Sequence, residues 1–152
     1  MKRFCALLLT AIVSTTTRAD ASAPGEVKLL CHRTANEDVP ENTLESLEQA
    51  ALLGCDVVEI DLRRTLDGKI VLNHDGVLEH LTDGIGVTEN SYYGDLRLRD
   101  VGSWMGERFT GLHVATFEDA LRVARERNIR LYLDIKDRGI ASDVQMCIRD
   151  RS

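Results

Sequence analysis

The strongest constraint on the fold is that short apolar runs alternate with helix-patterned segments along the chain. Short apolar runs predict strands, whereas apolar residues spaced three and four apart predict amphipathic helices. The predicted elements are, in chain order, a strand at 27–31, a helix capped by Asn42 and ended by Gly54, a strand at 57–63, a return strand at 70–73, a helix capped by Thr116, and a strand at 129–135. Because strands that alternate with helices favour βαβ units, the sequence predicts an α/β fold with a parallel sheet.

Length and charge exclude several classes of protein. The 152 residues suffice for one domain, and their 43% hydrophobic content is that of a folded chain. The formal net charge of −6 argues against a nucleic-acid or anionic-lipid partner. No apolar run reaches the roughly 18 residues that a membrane span needs.

The segment 75–115 is too long for an ordinary connection and is rich in glycine. We interpret it as an insertion of short turns that follows the second strand and its hairpin. One short helix is expected near residues 95–101.

The N-terminus has the pattern of a secretory signal. Lys2 and Arg3 precede the apolar stretch 4–13, and small residues allow cleavage after Ala21 or after Ala23. The first site is preferred because the second would leave Pro24 next to the cleaved bond. The alternative is a buried amphipathic helix, against which the threonine-rich stretch that follows argues. We therefore expect residues 1–21 to be a signal peptide and the protein to be periplasmic or secreted.

The C-terminal residues 146–152 resemble the translated end of a sequencing transposon. We expect a non-native tail there, so that the domain occupies residues 22–145 of a truncated chain. The alternative is an ordinary polar tail.

Cys31 and Cys55 raise the question of a disulfide in an exported protein. Cys31 ends the first predicted strand, and Cys55 precedes the start of its parallel neighbour. This placement predicts opposite ends of the sheet, more than about 10 Å apart, whereas a bridge needs Cα atoms within about 7 Å. We expect two free, buried thiols.

Acidic residues occupy alternate positions of the predicted strands. Glu59 and Asp61 share one face of their strand, and Asp134 and Lys136 repeat this spacing on a later strand. Buried carboxylates without partners are costly, and a divalent cation with oxygen ligands would remove that cost. Asp134 is a candidate third ligand, and Lys136 a candidate anion ligand. The alternative is a solvent-facing strand with ordinary surface acids.

The hairpin between the second strand and its return strand brings a histidine toward these acids. If Asp67 and Gly68 form a two-residue turn, then Asp61 lies opposite His74 on the same face. The alternative is a one-residue bulge, which would break this register.

The first predicted strand ends at His32-Arg33, and arginine is suited to bidentate phosphate binding. A histidine after an apolar strand is commonly only a packing residue. Here it joins other polar residues at strand C-termini, where α/β barrels place their active sites. Together these residues indicate a metal-dependent site for an anionic substrate.

Seven short motifs occur in order along the chain: His32-Arg33, Pro40-Glu41-Asn42-Thr43, Glu59-Ile60-Asp61, Thr65-Leu66-Asp67-Gly68, His74-Asp75, Thr116-Phe117-Glu118 and Leu133-Asp134-Ile135-Lys136. Their order and spacing resemble the glycerophosphodiester phosphodiesterases. This resemblance implies a TIM-barrel (β/α)8 fold, of which the chain carries only the first three barrel strands. The fragment alone is therefore expected to be inactive.

The resemblance also implies functional roles for seven residues. His32 and His74 would be the acid–base pair, and Arg33 and Lys136 would bind the phosphate. One divalent cation, Mg²⁺ or Ca²⁺, would be held by three carboxylates: Glu59, Asp61 and Asp134. The implied reaction hydrolyses glycerophosphodiesters, such as glycerophosphocholine or glycerophosphoethanolamine, to glycerol 3-phosphate and an alcohol.

Two residues depart from the family pattern. Thr34 stands where the family usually has glycine, and Asp134 stands where it usually has glutamate. Related sphingomyelinase-D-like phosphodiesterases resemble this chain at the second position. A phospholipase-D-like enzyme that cleaves or cyclises lysolipid-like substrates therefore remains an alternative, as does a non-catalytic protein that binds anions.

Overall fold

The computed structural model describes residues 27–150, and its central element is the eight-residue strand β2 (Val57–Arg64). Short strands, helices and turns surround this strand. The other strands and α-helices are, in chain order, β1 (Leu30–Cys31), α1 (Leu44–Leu52), β3 (Ile70–Leu72), α2 (Tyr93–Leu96), α3 (Phe117–Arg127), β4 (Arg130–Ile135) and α4 (Ala141–Arg149). The predicted signal peptide lies outside the described residues.

Strand β2 has neighbours on both of its edges. It pairs in parallel with β1 through Leu30↔Val57, and in parallel with β4 up to Leu62↔Ile135. It also pairs antiparallel with β3, where Leu62 lies opposite Leu72. The predicted parallel sheet is confirmed, although β1 is shorter than expected.

The main hydrophobic core lies between the sheet and its helices. Val58, Ile60 and Leu62 of β2 are fully buried, as are Leu47 of α1 and Phe117 of α3, and all five belong to one cluster. Because side chains alternate along a strand, the acidic residues between these apolar residues face away from the helices. The alternation within β2 therefore separates the core from the candidate site.

The start of α1 differs from the prediction. The cap is Thr43, whose side chain accepts a hydrogen bond from the Ser46 amide, while the Ser46 hydroxyl accepts one from the Thr43 amide. Asn42 cannot cap the helix because its side chain is bound to Asp61. At α3, the predicted Thr116 cap is confirmed by the bond from the Asp119 amide.

Cys31 and Cys55 form a disulfide, so the prediction of two free thiols was wrong. Their Cα atoms are 6.0 Å apart, within the range for a bridge. The error lay in the assumed register: Cys31 pairs with Val58 at the beginning of β2. The end of β1 and the residues that precede β2 therefore lie side by side rather than at opposite ends of the sheet.

The hairpin register also differs by one residue from the prediction. Thr65 donates its amide hydrogen to the Lys69 carbonyl at 2.9 Å, so the turn contains three residues, 66–68. Gly68 adopts a left-handed φ of 83°, as three-residue hairpin loops commonly require. Asp61 consequently lies opposite Asn73, whose amide donates to the Asp61 carbonyl at 3.1 Å, and not opposite His74.

The inserted segment folds around its own small core. Val71, Leu78, Leu96, Val101 and Val114 are buried together. The short helix α2 runs from Tyr93 to Leu96 and overlaps the expected range 95–101 only at its start, so its position was predicted wrongly. Four 3₁₀ turns accompany it, at Leu78–His80, Thr88–Asn90, Ser103–Met105 and Glu107–Phe109.

Helix α4 includes the first residues of the segment for which a non-native tail was predicted. Cys147 is partly buried against the main core. The origin of the tail stays a prediction. Across residues 27–150, no helix has both the length and the apolar character needed to cross a bilayer.

Candidate active site

Three carboxylates come together on the face of the sheet that the helices leave open. Asp61 of β2 and Asp134 of β4 are register partners, and Glu59 lies one layer below Asp61. Carboxylate oxygens of these three residues all lie within 4.8 Å of one another. Glu59 and Asp61 are buried, whereas the Asp134 side chain is 43% exposed, so the cluster opens toward solvent on one side.

Lys136 supplies a cation to this cluster. Its Nζ lies 2.9 Å from Asp61 Oδ1 and 2.6 Å from Asp134 Oδ2. Burial alone would lower the pKa of Lys136, but hydrogen bonds and charge attraction from Asp134 and Asp61 outweigh it and raise that pKa. Lys136 is therefore protonated at neutral pH.

Asn42 fixes the orientation of Asp61. Its Nδ2 donates to Asp61 Oδ2 at 2.8 Å, and its Oδ1 accepts from the Asp61 amide at 3.1 Å. Asn42 has a left-handed φ of 56°, a conformation that asparagine tolerates well. The sequence interpretation missed this role because it assigned Asn42 to a helix cap. The signal was available, since Asn42 lies within one of the seven motifs.

Arg33 connects the carboxylates to His74. The Arg33 amide donates to Glu59 Oε2 at 2.7 Å, and its guanidinium donates to Glu41 at 3.3 Å and lies 2.7 Å from His74 Nε2. A second arginine, Arg63, donates twice to the His74 carbonyl, at 3.0 and 2.8 Å. His74 thus lies beyond the end of β3, which is Leu72. Hydrogen bonds from the side chains of Arg33 and Arg63 hold it there, and within residues 27–150 no strand pairing does.

These contacts define the protonation pattern of the His74 ring. Arginine has only donors, so His74 Nε2 accepts from Arg33. The proton of neutral His74 then lies on Nδ1, which donates to Asp75 Oδ1 at 2.9 Å. The lone pair of Nε2 is therefore directed at the Arg33 guanidinium.

His32 stands outside the hydrogen bonds and ion pairs that join the other predicted site residues in the described part of the chain. Its side chain is exposed and borders a cavity of about 520 Å³ that is lined also by Leu29, Leu30, Ala35 and Leu53. Within residues 27–150 it makes no hydrogen bond or ion pair with the acidic cluster. The chain turns at Arg33 and Thr34, which both have positive φ. The catalytic role of His32 stays a prediction.

The donor set of the cluster fits a divalent cation. It offers carboxylate oxygens, which hard cations such as Mg²⁺ and Ca²⁺ prefer. The buried Asp61 Oδ1 makes no aligned hydrogen bond, although Lys136 lies within ion-pair distance of it. Lys136 and Arg33 face the three carboxylates of the cluster, and Arg33 is also paired with Glu41, so two cations meet four carboxylates and two formal negative charges are left uncompensated.

Comparisons with known proteins agree with this geometry. The sequence model of the Glycerophosphoryl diester phosphodiesterase family matches residues 32–150. A glycerophosphodiester phosphodiesterase from Bacillus subtilis is 33% identical over 72% of this chain and 40% of its own length. One from Caldanaerobacter subterraneus is 29% identical, over 71% of this chain and 44% of its own. The chain thus spans less than half the length of these relatives.

Solved structures show the same relationship. A glycerophosphodiester phosphodiesterase from Agrobacterium tumefaciens superposes with a TM-score of 0.78 at 30% identity, over 82% of this chain and 53% of that one. An Oleispira antarctica phosphodiesterase, solved in complex with the product sn-glycerol-3-phosphate, gives 0.75 at 30% identity, over 82% and 51%. The predicted fold class is confirmed as α/β, part of a TIM barrel. The chain belongs to the glycerophosphoryl diester phosphodiesterase family.

Proposed function

We propose that the intact protein is a metal-dependent hydrolase that cleaves glycerophosphodiesters to glycerol 3-phosphate and an alcohol. The observation that carries this proposal is the cluster of Glu59, Asp61 and Asp134, which Arg33 links to His74. Family membership supports the same reaction class. Water is the second reactant, and the bond that breaks joins phosphorus to the oxygen of the departing alcohol.

Three carboxylates would hold the cation: Glu59, Asp61 and Asp134. When bound, Mg²⁺ or Ca²⁺ would polarise a phosphodiester oxygen and offset developing negative charge. Arg33 and Lys136 bind the phosphate oxygens, and their charges stabilise the transition state.

Two histidines, His74 and His32, transfer the protons of the reaction. His74 Nε2 removes a proton from the attacking water once the Arg33 guanidinium turns from this nitrogen to the substrate phosphate. The bond from Nδ1 to Asp75 keeps the lone pair of the ring on Nε2. His32 protonates the departing alkoxide. Its exposure leaves the ring accessible to a substrate that lies over the end of β1.

A calorimetric titration tests the cation site without requiring turnover. Wild-type protein should bind one Mg²⁺ or Ca²⁺, and Asp61→Asn should weaken binding by about tenfold or more. Glu126→Gln on the exposed face of α3 is the matched control and should bind as the wild type does. Absence of saturable binding, or equal binding by Asp61→Asn, would contradict the assignment.

The reaction itself should be measured on the protein encoded by the full open reading frame. Glycerophosphocholine should yield glycerol 3-phosphate and choline, and EDTA should abolish this turnover. Activity that persists in EDTA would remove the cation from the mechanism.

Internal cyclisation by a phospholipase-D-like enzyme is the second candidate, since Asp134 is shorter than the family's usual glutamate. Phosphorus NMR distinguishes it, because only cyclisation of a lysolipid produces a cyclic phosphate.

We also propose that the protein is exported to the periplasm or the medium. The Cys31–Cys55 disulfide supports this location, since structural disulfides persist in oxidising compartments. N-terminal sequencing of the protein from its native cell should begin at Ser22. A protein that still carries Met1 to Ala21 would refute the proposal.

A further inference from the structure

Asp75 is shared by two histidines. Its Oδ1 accepts from His74 Nδ1 at 2.9 Å, and its Oδ2 lies 2.6 Å from His80 Nδ1. Both oxygens of one carboxylate are therefore occupied by imidazole nitrogens. The largest cause of the lowered pKa of Asp75 is the hydrogen bond from His80; burial opposes it, and the bond from His74 adds to it.

His80 belongs to the insertion and not to the barrel strands. It is the last residue of the 3₁₀ turn Leu78–His80. Two contacts fix that turn. Leu78 is buried in the insertion core, and its amide donates a hydrogen bond to the Gly86 carbonyl at 2.9 Å. The His80 ring is itself 63% exposed, so it contributes little to packing.

The consequence for His74 follows from the rotational freedom of Asp75. The Asp75 side chain is 33% exposed, and without a second partner its carboxylate could rotate toward water. Rotation would remove the acceptor from His74 Nδ1, which is one of the two contacts that favour the Nδ1–H tautomer, the other being the Arg33 guanidinium on Nε2. A donor on a fixed turn prevents this rotation.

We propose that His80 is a positioning residue which, through Asp75, holds His74 in the orientation and tautomer that keep Nε2 unprotonated as the proton acceptor. This inference rests on the proposed role of His74 in phosphodiester hydrolysis. It also assigns a function to the insertion, since the inserted segment supplies the residue that orients a catalytic ring.

The first test is NMR of the imidazole nitrogens of the 152-residue chain at alkaline pH, where histidine is neutral. In the wild type, His74 should show a protonated Nδ1 and an unprotonated Nε2. His80→Ala should give a mixture of tautomers at His74, whereas His80→Asn, whose amide can donate to Asp75, should restore the wild-type pattern. His113→Ala is the control for removing another exposed histidine. An unchanged His74 spectrum in His80→Ala would overturn the proposal.

The second test is kinetic and uses the full-length protein with glycerophosphocholine. His80→Ala should lower kcat by about 2- to 10-fold with KM unchanged, as expected for the loss of one hydrogen bond. His80→Asn should recover most of kcat. A change confined to KM, or no recovery with asparagine, would refute positioning. If the wild type itself shows no turnover, the proposed function fails, while the tautomer measurement still decides the role of His80.

Discussion

The Cys31–Cys55 disulfide gives a quantitative prediction for stability. The bridge closes a loop with a sequence separation of 24 residues. The loop-closure relation then predicts that the bridge stabilises the folded state by about 3.5 kcal/mol through the unfolded chain. This is a large fraction of the free energy of unfolding of an ordinary domain, about 5–15 kcal/mol.

The perturbation is the double variant Cys31→Ala/Cys55→Ala, compared with the wild type in oxidised and reduced form. Alanine is chosen because Cys55 is buried, and serine would place a hydroxyl there. Urea unfolding followed by circular dichroism should show a loss of about 3–4 kcal/mol in both the double variant and the reduced wild type.

The reference variant is Cys147→Ala, which changes a partly buried cysteine outside the bridge. Because this variant keeps the Cys31–Cys55 bond, a reductant should destabilise it as much as it does the wild type. A loss below about 1 kcal/mol in the double variant, or no response of the wild type to reductant, would refute the loop-closure argument.

The remaining predictions concern the site and the insertion. Asn42→Ala should lower the free energy of unfolding by about 1–3 kcal/mol, because it deprives the buried Asp61 of its hydrogen bonds; chemical denaturation measures this. His74→Ala should reduce turnover of the full-length enzyme by at least about 100-fold, and a near-normal rate would remove His74 from the mechanism. Asp100 has a pKa held well below its usual range by backbone amides, above all that of Gly111. Since this carboxylate is stabilised in the folded state, its contribution is complete above about pH 4 and is lost as the pH falls further. Protection of the insertion amides from hydrogen exchange, taken relative to the intrinsic rate at each pH, should therefore fall in acid for the wild type and be low already at neutral pH in Asp100→Ala.

Local patterns were sufficient where the information lies within one segment. The alternation in β2 predicted both the buried face and the acidic face, because a strand's period of two requires no knowledge of its neighbours. The Thr116 cap could likewise be predicted, since its partner, the Asp119 amide, lies three residues away.

Predictions failed where two distant segments had to be aligned. The disulfide was missed because strand register was inferred from the sequence positions of Cys31 and Cys55, whereas the sheet places Cys31 beside Val58. The hairpin register failed by one residue because Asp67-Gly68 is compatible with both a two-residue and a three-residue turn, and only the pairing of Thr65 with Lys69 distinguishes them.

The sequence by itself thus determined the α/β class, the family and the acidic residues that share a strand face. Only the tertiary structure decided that Asn42 holds Asp61, that Arg33 lies between Glu59 and His74, and that His80 reaches Asp75 from the insertion. The physical reason is that hydrogen bonds between segments depend on how loops and strands align in space, and local residue patterns do not specify that alignment.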